Sequence, residues 1–161
     1  MQDKKNRLIY LVTLSLLLSS LEYLIPKPFP FLKLGLANLP LIISLPILPF
    51  YEYILLALSK ALIQGLVGGT IISPFFLISL SGTFATSLGM FLAYKLLKRN
   101  TFVGISVIGA LCSNVAQIFM AAALIYGKSI FVAMPYIIGL GIISSTVLGY
   151  LANRFYRDSK F

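Results

Sequence analysis

A lysine and a glutamine, Lys60 and Gln64, stand one helical turn apart in LALSKALIQGL, inside an otherwise apolar run. A second polar pair, Asn114 and Gln117, interrupts the apolar stretch VIGALCSNVAQIF. Spacings of three and four residues put both members of each pair on one face of a helix. An ammonium group beside carboxamides can hold a polar or anionic small molecule. The lysine supplies charge, and the carboxamides supply donors and acceptors. Glu22, Lys33 and Asn38 flank the first long break in the apolar pattern and could complete such a site.

These residues do not form a catalytic set. The carboxylates are Asp3, Glu22, Glu52 and Asp158, scattered along the chain, and histidine is absent. No two can work as acid and base together, and no aspartate cluster can hold magnesium on a diphosphate. The GKS at Gly127 lacks the upstream glycine of a phosphate-binding loop. With one cysteine, Cys112, no disulfide framework exists. The chain therefore reads as a non-enzyme without metal or cofactor, and ATP-driven work would need ATPases supplied by partners.

Composition says where these side chains sit. The chain has 161 residues, 59% hydrophobic and only 11% charged, with a mean hydropathy of +0.98. Soluble domains carry about 25% charged residues, and a membrane helix needs roughly 20 apolar residues. Apolar runs fall at about 8–25, 34–50, 52–67, 74–97, 102–126 and 130–155. The expected fold is all-α: one integral membrane domain over 1–161, polytopic, with six transmembrane helices. The basic start and apolar run also mimic a signal peptide, but the apolar run continues through LEYLI, so an uncleaved first span is expected. Pro26, Pro28 and Pro30 make PKPFPFLK a stiff connection, and Pro40, Pro46 and Pro49 should kink or break the second span.

The net charge of +9 comes from short basic clusters between apolar runs, which suit membrane flanks rather than nucleic acid. With both termini in the cytoplasm, Lys4, Lys5, Arg7, Lys95, Lys98, Arg99, Arg154, Arg157 and Lys160 lie inside, against Lys27, Lys33 and Lys128 outside. That is nine against three, and it orients the chain in the cell membrane. Lys60 then falls near the bilayer centre, where a charge costs at least about 2.5–3.5 kcal/mol. It needs an ion pair with Glu22, a polar knot with Asn114 and Gln117, or a ligand. Polar residues gather at the midplane and in the outer half, which favours an outward-facing pocket. Its candidate substrate-binding residues are Lys60, Gln64, Asn114, Gln117, Asn38, Glu22 and Lys33. Small-residue seams at Ala85, Gly89 and Ala93, at Gly141, Ser145 and Gly149, and at Ser15 and Ser19 suit close helix packing or docking to another membrane subunit.

The run LEYLIPKPFPFLKLGLANLP, with its KLGLAN core, and the later VIGALCSNVAQIF resemble the membrane family called heptaprenyl diphosphate synthase component I, or Gx transporter. That family is similar to the S components of energy-coupling-factor transporters, six-helix substrate-binding subunits. The resemblance implies an S-component-like bundle, a first outer loop that caps the ligand, and a first helix that meets a transmembrane coupling subunit. Ser15 and Ser19 approximate the small-residue docking motif of that helix. The function so implied is a substrate-binding subunit for uptake of a small vitamin- or isoprenoid-like molecule. The alternative is a noncatalytic membrane accessory of a heptaprenyl diphosphate synthase, or of flavin or quinone electron transfer.

Overall fold

The computed structural model describes residues 2–24, 35–96 and 101–158, and all regular structure among them is helical. Helix α1 spans Gln2–Leu24. After it come a 3-10 turn at Leu36–Asn38 and the short α2, Leu39–Ser44. Then follow α3 (Phe50–Val67), α4 (Pro74–Leu96), α5 (Phe102–Ala121) and α6 (Ile130–Asp158). A π-helical turn at Ala122–Tyr126 and a 3-10 turn at Gly127–Ser129 join the last two helices. The proline-rich PKPFPFLK, with Lys27, Phe29, Phe31 and Lys33, lies outside the described residues, as do Lys98, Arg99 and Lys160.

The breakers act locally as their chemistry requires. Pro49, in an extended conformation, precedes α3, and Pro74 opens α4. Gly68 closes α3 by donating to the carbonyl of Gln64, and Gly69, at a left-handed φ of 62°, donates to that of Leu66. Thr101 caps α5, its hydroxyl accepting from the amide of Gly104 at 3.2 Å.

Three helical stretches are long and apolar enough to cross a membrane: 50–67, 74–96 and the continuous run 102–157. The third folds back on itself. A Cβ on Gly149 would lie 2.4 Å from the Cα of Val103, and one on Gly141 would lie 2.0 Å from the Asn114 carboxamide. These two contacts set α5 and α6 antiparallel. Gly82 against Gln117, and Gly109 against Met90, do the same for α4 and α5.

The second apolar run, expected as a span over about 34–50 that its prolines kink or break near its end, is broken into a short helix and turns. Pro40 stands in the first turn of α2, which ends after six residues. The chain then continues as turns, with Ile47 and Leu48 both donating to the Ser44 carbonyl, at 2.9 and 2.8 Å. Pro46 and Pro49 have no N–H to continue the helix. The segment is nevertheless deeply buried, with Ala37, Leu41, Ile42 and Ser44 all fully enclosed. Packing against its neighbours holds it, since six residues make a marginal helix alone.

Two apolar clusters flank a polar layer. One gathers Leu11, Leu41, Ile42, Tyr53, Leu56, Met90, Ile105, Leu148 and Ala152; the other gathers Ile78, Ile118, Ala121, Ile130 and Ile137. Along α4 the order is Ile78, then Thr83 and Thr86, then Met90. Along α5 it is reversed: Ile105, then Ser106, Asn114 and Gln117, then Ile118. Along α6 it runs Ile137, Gly141 and Ser145, then Leu148. The polar residues of adjacent helices thus meet at one level.

The small-residue seams are spent inside the bundle. Gly89 packs on Cys112, Gly141 on Asn114 and Gly149 on Val103, and Ser15 and Ser19 are buried. Gly149→Leu drives a side chain into the backbone of Val103, which cannot turn aside as a rotamer could. Overpacking of this kind costs about 1–3 kcal/mol or more. The expected result is a clear fall in thermal stability in detergent, against little change for Gly139→Ala, where a Cβ meets nothing within 4 Å.

Candidate functional site

The polar layer is organised around the segment that follows the undescribed stretch. Gly35 has a φ of 83°, a left-handed conformation that suits glycine and turns the chain back toward α1. There Glu22, only 1% exposed, accepts from the amide of Gly35 at 3.2 Å and from that of Ala37 at 3.4 Å. A carboxylate thus satisfies two backbone donors at the start of a short helical segment, where such donors have no partner of their own. A Cβ on Gly35 would lie 3.1 Å from the Asn38 carboxamide, so Asn38 folds closely over the turn.

Lys60 approaches from α3. Its ammonium donates to the Oδ1 of Asn38, and it lies within electrostatic reach of Glu22. The chain Glu22, Gly35–Ala37, Asn38, Lys60 therefore joins α1, the turn and α3. It supplies the compensation that a lysine 3% exposed in an apolar bundle requires.

Asn114 and Gln117 do not bond to Lys60 among the described contacts. Asn114 donates to the carbonyl of Ile137 at 3.2 Å, tying α5 to α6 over Gly141. Gln117 donates to the hydroxyl of Ser113 at 2.9 Å and lies flat on Gly82 of α4. Thr86 donates to the Gly109 carbonyl at 3.2 Å. Each of these polar groups fixes one helix against the next.

Between them lies a cleft with about 520 Å³ of empty space, counting its open mouth. Lys60, Gln64, Asn114, Gln117 and Asn38 all line it. Glu22 does not; it stands behind the Gly35–Asn38 turn. Lys33 lies outside the described residues. The deep part is narrow, with room for roughly two water molecules. A larger occupant needs Lys60, Gln64 or Gln117 to rotate, or the Gly35–Asn38 turn to move.

The cleft also uses hydroxyls not singled out in the sequence, Thr86, Ser106, Ser113 and Ser144, together with Ser145, which was read there only as part of a packing seam. They carry its lining along α5 as far as Ser106, near the start of that helix. Their signal was present as spacing. Residues 106, 110, 113, 114 and 117 share one helical face, and so do 141, 144, 145 and 148. Serine and threonine alone are weak markers, because in helices they also bond the preceding turn, as Thr83 does to the Ser79 carbonyl at 3.0 Å. Among the described residues, no three histidine, cysteine or acidic side chains gather to hold a metal.

The fit of Gln117 on Gly82 gives a local test. A Cβ there would stand 2.2 Å from Nε2, so Gly82→Ala must eject the carboxamide from its place. The expected loss is about 1–3 kcal/mol in detergent unfolding. The same substitution should cost much less in a Gln117→Ala background, because the clash is then gone.

A family model described as heptaprenyl diphosphate synthase component I matches residues 11–155. No curated protein and no solved structure matches the chain.

Proposed function

Because the chain belongs to the heptaprenyl diphosphate synthase component I family, we propose that it is a noncatalytic, membrane-embedded subunit that captures a small polar molecule in the Lys60 cleft for uptake. The observation that carries this is the cleft itself. A charged side chain and four carboxamides converge there from the turn, α3 and α5, in the interior of a helical bundle. Ionisable groups at membrane depth mark ligand or ion pathways, and convergent polar groups in a concave site fix a ligand's orientation. The narrow interior corresponds to a closed arrangement. The Gly35–Asn38 turn, held by Glu22 and Lys60, is the element placed to open it.

In this reading the protein makes six passes, α2 with its flanking turns forming the second, and both termini face the cytoplasm. The nine-to-three distribution of basic residues supports that orientation. In a Cys112→Ala background, Asn6→Cys should react with a membrane-impermeant thiol reagent only after cells are opened. Ser129→Cys should react in intact cells. The reverse pattern would invert the topology.

The family description favours a second reading, in which the chain is the membrane partner of a soluble synthase component. Affinity purification from native membranes separates the two. Capture of a small molecule, released on denaturation and seen by mass spectrometry at near one per chain, is the expected result. Recovery of a prenyl synthase, with no small molecule, would favour the accessory role instead. An uptake role further calls for a transmembrane coupling subunit and ATPases, which the same purification would recover.

A further inference from the structure

Resting on that proposed capture, we infer that the cleft selects a small, non-aromatic oxyanion, a carboxylate or phosphate group held between Lys60 and Ser106. The class follows from what lines the cleft and from what is kept out of it. Among the described residues, no lining side chain is aromatic and none is acidic. A planar ring would find no face to stack on. A cationic ligand would meet the Lys60 ammonium in a lining that contains no carboxylate, because Glu22 stands behind the Gly35–Asn38 turn.

The donors, in contrast, are in excess. The Lys60 ammonium has three N–H groups, and the bond to Asn38 uses one. Ser106, 1% exposed, has no hydrogen-bond partner for its hydroxyl among the described residues. Ser113 accepts from Gln117, which leaves its own hydrogen free to donate. Donors that line a cleft in this way call for acceptors, and an oxyanion supplies several acceptor lone pairs at once. Size agrees with chemistry. The interior, with room for roughly two waters, must open for any such group, and a compact one needs a smaller movement than a fused ring system. Asn114 and Gln117, further along α5, can then read a hydroxyl or amide on the remainder of the molecule.

The oxyanion could reach the cleft as a free solute or as a lipid headgroup, and the test separates these. The full chain is purified in detergent, and binding of radiolabelled phosphate and of radiolabelled succinate is measured by scintillation proximity. Glycerol and nicotinamide serve as neutral and aromatic competitors. Saturable binding of at least one oxyanion is expected, untouched by either competitor. Affinity should fall by about ten- to a hundredfold in Lys60→Met and by about three- to tenfold in Ser106→Ala. Lys60→Arg, which keeps the charge, should retain most of it and guards against a folding defect in the methionine variant. Reconstitution in bilayers with and without phosphatidic acid distinguishes the sources. Displacement of bound phosphate by that lipid assigns a headgroup, and its failure to displace assigns a free solute; both keep the oxyanion site. If the purified protein carries a neutral or aromatic molecule and no oxyanion binds, the oxyanion class is wrong while capture stands. If neither probe nor any copurified small molecule binds, both are overturned.

Discussion

Glu22→Gln should destabilise the protein more than any other single substitution in the polar layer, by about 3–5 kcal/mol. The carboxylate accepts from two amides, Gly35 and Ala37, and provides the negative charge nearest to Lys60 in the described site. A glutamine keeps one acceptor oxygen but brings an NH2 group against the second amide, so two donors then face each other. It also leaves a buried ammonium without its counter-charge. The Gly35–Asn38 turn loses its tie to α1, and with it the wall of the cleft. Unfolding in detergent, followed by far-ultraviolet circular dichroism, gives the magnitude, and Glu22→Asp provides a control that keeps the charge with a shorter reach. Near wild-type stability for Glu22→Gln would mean that the turn is held by packing alone.

Lys60→Met should behave differently, because the two partners are not equivalent. Removing the lysine leaves Glu22 with both of its amide donors. Asn38 loses one donor but remains packed over Gly35. A methionine fills the stem volume and removes a charge whose insertion costs at least about 2.5–3.5 kcal/mol. The stability loss should therefore be well below that of Glu22→Gln. Binding is another matter, since the ammonium faces the cleft and nothing else in the lining carries a positive charge. Ligand retention should be lost. The double variant Lys60→Met/Glu22→Gln removes both charges together. It should be more stable than Glu22→Gln alone, because no buried charge is then left without a partner.

Much of this arrangement was legible in the residues. Prolines, glycines and the Thr101 cap bound α3, α4, α5 and α6 close to where the apolar runs begin and end. The pairs Lys60 with Gln64 and Asn114 with Gln117 do face one cleft, because three- and four-residue spacing survives any packing of the helices. The second segment was not legible as a short one. Its composition is as apolar as a membrane span, and hydropathy cannot tell lipid contact from burial inside a bundle. Nor could the sequence choose between an ion pair and a ligand site for Lys60. The structure gives it elements of both, since Lys60 bonds Asn38 and lies within electrostatic reach of Glu22 while it also lines the cleft. The direct bonding of Lys60 to Asn114 and Gln117, one of the sequence-based alternatives, fails for a geometric reason. Lys60 donates to Asn38 on the turn instead, and the two carboxamides turn their NH2 groups to Ile137 and Ser113. Glu22 looked like a site residue because it is a lone acid in an apolar run. Its oxygens turn to a backbone whose path could not be foreseen across the proline-rich stretch.

Capture of a small molecule at Lys60 is tested most directly by the load of the double variant. Lys60→Met/Glu22→Gln is purified beside the wild type under identical conditions, and the small molecule released on denaturation is quantified per mole of folded chain by mass spectrometry. Glu22→Gln alone, which has the same altered turn but keeps Lys60, is purified alongside and should retain more of the load than the double variant. A folded but empty double variant, beside a loaded wild type, is the expected result. A double variant that is folded and carries the wild-type load would contradict the assignment of Lys60 as the ligand's counter-charge.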